Sequence, residues 1–400
     1  MNEKILLIGE HFSENLGDGV ICQTVQHLIQ QEYPDATFFY SDLSGRKAYK
    51  QQRLNVAKKR QWLTFKAKKK AVSLIKKHPY LHHSFLHGDR KMLATIKEKS
   101  QQDYDFAVFA GGQLLMDYFS FSISRHLYFL NKRQTPTFFN ACGMGSIRSK
   151  GFQKILQRAL AKEVVSAISV RDDVVGVNQK LLQRARLKAT SSYDPALWAK
   201  EAFQIQKKDN ETIGLGVIST NKEKDDQLIQ LYQKVIRQLD AKKIRWSLFC
   251  NGSLEDQVLA LQIAEHSGHD ASVVAPRPER PKALVELISR YRSIISFRLH
   301  SHIIAASLGV PSVAITWDNK VDFFFEHLRC GDRVFNYDSN PQDILHKLTE
   351  AETEGYDDCL IQQQKEESRL NLLKNIQYIQ QTQKNAAGFK KTGMMLDDEL

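Results

Sequence analysis

Residues 293–320 read SIISFRLHSHIIAASLGVPSVAITWDNK. The runs SIISFR (293–298) and SVAITW (312–317) are short and apolar, as buried strands are, and Ile303, Ile304, Ala305, Ala306 and Leu308 mark a helix between them. Strand, helix and strand in succession build a parallel α/β sheet. Arg298 and His300 then fall where a strand ends and a helix opens, a place whose unpaired backbone N–H groups attract an anion. The Arg298 guanidinium matches a phosphate or carboxylate in bidentate fashion, and His300 can exchange a proton near neutral pH. Lys320 closes the next strand and loop, so the topology brings it to the same edge.

Outward from this stretch, TIGLGVI (212–218), IRWSLFC (244–250) and ASVVAP (271–276) continue the strand series of a second α/β domain, taken as 211–350. An earlier series, KILLIG (4–9), FAVFAG (106–111), PTFFNACGMG (136–145) and VVSAISV (164–170), forms a first, doubly wound domain over 1–200. Its first helix is marked by Val20, Ile21, Val25, Leu28 and Ile29. AKEAFQIQKKDNE (199–211) reads as the linker, 356–384 as a long terminal helix and the remainder as a frayed tail. Two such domains place a ligand in the cleft between them, at the carboxyl ends of the strands.

The first domain brings its own residues to that edge. SENLGD presents Asn15, Gly17 and Asp18 at a strand-to-helix turn, although the pattern is also an ordinary turn and cap. Gly111 and Gly112 allow a tight turn or close backbone approach. Arg171 follows VVSAISV, with Asp172 or Asp173 as a structural partner, and YDPAL reads as a turn around Asp194 and Pro195.

Composition limits the remaining choices. With 42% hydrophobic residues among 400, the chain is a folded globular protein and not a disordered one. No run approaches the roughly 18 apolar residues of a membrane span, and the start lacks a signal-peptide pattern, so the expectation is a cytoplasmic protein. The five cysteines are odd in number and scattered, which argues for free thiols. His78, His82, His83 and His87 have no accompanying cysteine or carboxylate cluster, so no metal is expected. The net charge of +12 concentrates at residues 44–100, which hold 17 Lys and Arg against Asp89 and Glu98. This basic segment reads as a helical insertion, either merely solvated or resting peripherally on an anionic membrane surface. Without a zinc spacing, an RNP motif or a helix-turn-helix, nucleic acid ranks below membrane as a partner.

SENLGD, FAGGQLL, ISVRDD, YDPAL and above all FRLHSHIIAASLGVPSVAITWDNK, in this order, resemble the polysaccharide pyruvyl transferase family over about residues 5–330. The resemblance implies two Rossmann-like domains facing across a cleft, similar to the GT-B glycosyltransferase architecture. It further implies transfer of pyruvate from phosphoenolpyruvate, a co-substrate and not a resident cofactor, to a sugar as a cyclic ketal. The acceptor would be a cell-surface or exopolysaccharide precursor, often lipid-linked. By motif, Arg171, Arg298, His300 and Lys320 match the donor-binding and catalytic positions, with Leu299 and Ser301 beside them in the donor stretch. Asn15, Gly17, Asp18, Gly111 and Gly112 would line the acceptor side, with Asp18 or Asp172 as the base. A nucleotide-sugar glycosyltransferase and a non-enzymatic binder of anionic surfaces or nucleic acid are the competing readings.

Overall fold

The structure, a computed structural model, describes residues 3–49, 90–316 and 319–397. The first sheet comprises β1 (Lys4–Gly9), β2 (Thr37–Asp42), β3 (Phe106–Phe109), β4 (Gly112–Leu115), β5 (Thr137–Met144), β6 (Val165–Val170) and β7 (Thr190–Ser191). Helices α1 (Leu16–Glu32), α2 (Arg90–Ser100), α3 (Ser120–Lys132), α4 (Lys150–Leu160) and α5 (Val174–Lys180) connect these strands, and α6 (Ala199–Phe203) leads to the second sheet. That sheet comprises β8 (Ile213–Gly216), β9 (Trp246–Phe249), β10 (Ser293–Ser296), β11 (Ser312–Ile315) and β12 (Val334–Phe335). Its helices are α7 (Lys222–Ala241), α8 (Leu254–His266), α9 (Pro281–Ile288), α10 (Leu299–Leu308), α11 (Asn319–His327) and α12 (Pro341–Glu354), and α13 (Asp358–Asp397) ends the chain's described part.

Strand order in the first sheet is β2-β1-β3-β5-β6-β7, with β4 against β5, and in the second it is β12-β11-β10-β8-β9. The pairings between these strands are parallel. Strand order therefore reverses between β1 and β3 and again between β8 and β10. A crevice opens at such a reversal, beyond the carboxyl ends of the strands. The fold is two Rossmann-like domains in a GT-B-like arrangement, as the motif order implies.

The burial pattern explains why the strands read as apolar runs. Ile5 and Leu7 face one core and Leu6 and Ile8 the other, so β1 is covered on both sides. The core on the Ile5 side continues through α1 and α10 to Ile294 and Ala314 of the second sheet, making one apolar body of both domains. Ile295, Val313 and Ile315 point to a third core beneath α7 and α8. Helix α10 is buried along its whole length and stops at Gly309, whose φ of +71° suits glycine.

Several expectations are corrected. ASVVAP is no strand: Ala271–Val273 form a single 3-10 turn, and only Val274 bridges to Leu248. The preceding Gly-His-Asp and the Asp270 carboxylate, which accepts from the Ser272 N–H, favour that turn over extension. Helix α1 starts at Leu16, so Gly17 and Asp18 occupy its first turn and not the loop before it. Strand β2 went unread because TFFYSD is an edge strand, half exposed, whose apolar run is only Phe38, Phe39 and Tyr40. Residues 385–397, read as a frayed tail, continue α13, since single glycines weaken a helix by only about 1 kcal/mol without stopping it. Of the basic segment 44–100, residues 50–89, including the four clustered histidines, lie outside the described residues. Within the remainder, 90–100 is helical. No helix among the described residues is long and apolar enough to cross a membrane.

Helix α13 ties the second domain back onto the first. Leu372, Leu373, Ile376 and Ile379 enter the shared core, and the Asn371 side chain donates to Ser169 Oγ at 2.9 Å. The Gln383 amide donates to the Asp105 carbonyl at 2.9 Å. Ile376 has no exposed surface, so Ile376→Ala is expected to lower stability by about 2–5 kcal/mol, read as a reduced denaturation midpoint.

Candidate active site

The carboxyl ends of both sheets meet where α1 and α10 begin. Leu16 N–H, at the start of α1, donates to the Asn251 carbonyl of the second domain at 2.9 Å. Gly17 then packs on His300 so closely that a methyl group there would overlap His300 Cβ, Cγ and Nδ1. Glycine is required at position 17 for this approach, not for its backbone angles.

His300 is buried, with Nε2 3.3 Å from Arg171 Nη1 of the first domain. Burial, reinforced by the charges of Arg171, Lys320 and Arg298, holds its pKa well below the usual 6.5. A pKa held down in this way favours the neutral ring in the free cleft and runs against the expectation of proton exchange near neutral pH. His302, two residues along, is fixed by Ser312 Oγ and the Ser296 carbonyl, each at 3.0 Å, and serves the core.

Each arginine is held by a buried carboxylate that sequence reasoning assigned no part in the site. Asp194 pairs with Arg171 through Oδ2 while its Oδ1 accepts from the Ala196 N–H at 2.9 Å. The YDPAL turn read from the sequence is thus a cap and an ion-pair partner at once. Asp256, in the first turn of α8, pairs with Arg298 Nε at 3.0 Å and with Nη2, and accepts from the Ser219 N–H at 2.9 Å. Nothing in NGSLEDQ distinguishes that carboxylate from an ordinary acid near a helix start. Arg171 Nε remains buried without a hydrogen-bond partner.

Lys320 reaches across the cleft to Gln113 Oε1 at 3.4 Å. With Arg171, Asp172 and Asp194 it lines an opening of about 390 Å3, counted out to solvent, whose apolar wall includes Leu299 and Phe324. Ser301 Oγ donates to Asn251 Oδ1 at 2.9 Å, and its side chain is engaged within the second domain. Gly111 and Gly112 carry φ of +107° and +92°, the left-handed region, in the turn from β3 to β4. A methyl group on Gly112 would stand 3.7 Å from Asp18 Oδ1, so this turn and the Asp18 carboxylate adjoin.

Asp18 accepts from the Asn15 amide at 3.0 Å. Burial and the nearby Glu10 raise its pKa to about 6, against the opposing charges of Arg171 and Arg298 and the Asn15 hydrogen bond. Asn15 Oδ1 is buried with no partner. Asp172 differs: Oδ1 accepts from the N–H groups of Met144 at 3.0 Å and Asp173 at 2.7 Å, which anchors it to the end of β5. The candidate cleft residues therefore gather at the facing sheet ends: Arg171, Arg298 and Lys320 act on His300, and Arg171 and Arg298 also act on Asp18.

A sequence profile described as "Polysaccharide pyruvyl transferase" matches residues 15–319. The chain belongs to that family. No curated protein matches in a sequence comparison. Among solved structures, a putative UDP-N-acetylglucosamine 2-epimerase from Listeria monocytogenes is similar at 9% identity and a TM-score of 0.54, covering 96% of this chain and 98% of its own. The S. aureus MnaA-UDP co-structure gives 12% identity and a TM-score of 0.52, covering 94% and 96%. At such identities the likeness is one of fold.

The contact between Gly17 and His300 provides a test. Gly17→Ala is expected to destabilise the protein by about 1–3 kcal/mol through overpacking. It should also reduce transferase turnover more than ten-fold, because the ring can make room only by leaving Arg171.

Proposed function

We propose that the protein transfers pyruvate from phosphoenolpyruvate to a saccharide acceptor as a cyclic ketal, releasing phosphate, with no resident cofactor. The observation that carries this reading is the convergence of Arg171, Arg298 and Lys320 around one neutral histidine. Phosphoenolpyruvate bears a phosphate and a carboxylate, and fixed guanidinium forks with the opening of α10 suit both. Arg171, Arg298, Leu299, His300, Ser301 and Lys320 form the donor side in this reading, with Ser301 holding the α10 opening through Asn251.

Protonation of the enol's methylene carbon is the step that makes its neighbour electrophilic. Burial, together with the charges of Arg171, Lys320 and Arg298, holds the His300 pKa down in the free cleft; a donor with about three negative charges offsets the cationic part, and in this reading His300 gains its proton as the donor binds. His300 gives this proton to the methylene carbon, and a sugar hydroxyl adds to the adjacent carbon, losing its own proton to a base. A second hydroxyl attacks the same carbon as the bond from carbon to the phosphate oxygen breaks; phosphate leaves with the electron pair and takes up the second hydroxyl's proton. Asp18 is the base we assign, because Asp172 Oδ1 is already engaged by two backbone N–H groups, that of Met144 at the β5 end and that of the adjacent Asp173. Asn15, Gly17, Gly111 and Gly112 shape the acceptor side around it. The acceptor class is a polysaccharide precursor, free or lipid-linked.

The test is a mass-spectrometric assay with phosphoenolpyruvate and a panel of synthetic and lipid-linked glycosides. A mass gain of one pyruvate less one water is expected, abolished in His300→Ala and Arg298→Ala. Because Asp18 acts as carboxylate, the rate should fall as pH drops below about 6, and Asp18→Asn should leave a residual rate without that limb. A nucleotide-sugar donor is the competing reading, and the shared fold alone speaks for it. At 100 times its dissociation constant a true donor adds about 2.7 kcal/mol of stability. Thermal stabilisation by UDP-sugars and none by phosphoenolpyruvate would overturn the proposal.

A further inference from the structure

Charge is distributed unequally over the described surface. Between Phe121 and Thr190 the chain carries 13 Lys and Arg against three acids, Glu163, Asp172 and Asp173. Across Ile213–Glu354, which holds the second sheet, the counts are 17 and 19. The excess in the first domain is therefore additional to the basic segment at 44–100.

The folding of α3, α4 and α5 gathers this charge on one face. Helix α4 buries Phe152, Leu156, Ala159 and Leu160 against the first sheet, which turns Lys150, Lys154 and Arg158 outward at one-turn intervals. The Gln153 and Gln157 amides each donate to the Lys180 carbonyl at 2.8 Å, so the end of α5 lies beside α4. Past it, Arg184, Arg186 and Lys188 are exposed. On the other flank Tyr128 of α3 is 41% exposed, with Lys132 Nζ 4.9 Å from its ring centre and Arg125 and Lys162 close enough to act on its hydroxyl. Among the described residues no carboxylate pairs with Lys150, Lys154, Arg158, Lys180, Arg184 or Arg186. Val175, at the opening of α5, is 65% exposed and stands four residues beyond Arg171.

We propose that this α3–α4–α5 face docks on an anionic lipid bilayer, with lysines and arginines on the headgroup phosphates and Tyr128 and Val175 entering the interface. Unpaired cations spread over three helices complement a planar negative surface, and each contributes attraction that falls off within a Debye length. Exposed apolar side chains among those cations fit a bilayer boundary better than a nucleic-acid backbone, which offers them nothing to enter. Helices α4 and α5 begin at the carboxyl edge of the first sheet, so docking sets the cleft rim against the membrane. The surface does not depend on which donor the cleft uses.

The experiment is co-sedimentation of the full chain with phosphatidylcholine vesicles, with and without phosphatidylglycerol at about one lipid in three. Binding is expected only to the anionic vesicles, weakening as salt rises. Lys150→Glu, Lys154→Glu and Arg158→Glu together should weaken it at least ten-fold, although residues 50–89 are intact in that variant. Val175→Trp should show a blue-shifted emission on anionic vesicles alone, which reports insertion independently of the triple variant. Equal binding to neutral vesicles, wild-type binding by the triple variant, an unshifted tryptophan in vesicle-bound protein, or tighter binding to a short RNA duplex would each overturn the proposal.

Discussion

A guanidinium taken out of water needs a carboxylate beside it, and Arg171 is buried at the meeting point of the two domains. Asp194 supplies that partner and, through its other oxygen, caps the turn that begins the passage into the second domain. The same guanidinium touches His300, which α10 carries up from the second domain, and His300 in turn lies on Gly17 at the start of α1. Strand β6, the interdomain passage and the first turns of two helices are thus fixed by one buried ion pair. The continuous apolar core beneath it and the strap of α13 hold the domains at the separation this contact needs.

Charge in the cleft is set largely by Arg171 and Arg298, which act on both His300 and Asp18. Each arginine is held in place by a buried acid, so both guanidiniums are directed in the free cleft, and under the proposed function that lowers the cost of organising an anion site. Asp18 keeps a raised pKa because burial and Glu10 outweigh the two arginines. Environments that push an acid and a base in opposite directions within one cleft are what proton transfer at two points of a substrate requires. Under the proposed function, an imidazole whose pKa is held down by burial and three cations gains a proton when negative charge enters.

Much of this was readable from residues alone, for physical reasons that also explain the omissions. Parallel strands covered on both faces appear as unbroken apolar runs, so β1, β3, β5, β6, β8, β10 and β11 were visible. The edge strand β2, half exposed, and ASVVAP, bent by Asp270 into a single turn, broke that rule in opposite directions. Arg171, Arg298, His300 and Lys320 were legible because strand ends are where an α/β fold puts its ligands. Asp194 and Asp256 were not, since an acid that caps a turn or opens a helix looks the same whether or not an arginine comes to it. Nor could sequence reveal that Gly17 serves closeness to His300, a contact between residues far apart in the chain. Burial and the surrounding cations both press the imidazole toward its neutral form, an environment that only the fold assembles.

The most direct measurement is calorimetry of phosphoenolpyruvate binding at pH 7.5 in two buffers of different ionisation enthalpy, with the wild type beside His300→Gln. The difference between buffers counts the protons taken up on binding. Net uptake by the wild type, disappearing in His300→Gln while binding persists more weakly, is the expected result. No binding heat with phosphoenolpyruvate, or the same uptake without the imidazole, would contradict the central claim that donor charge protonates His300.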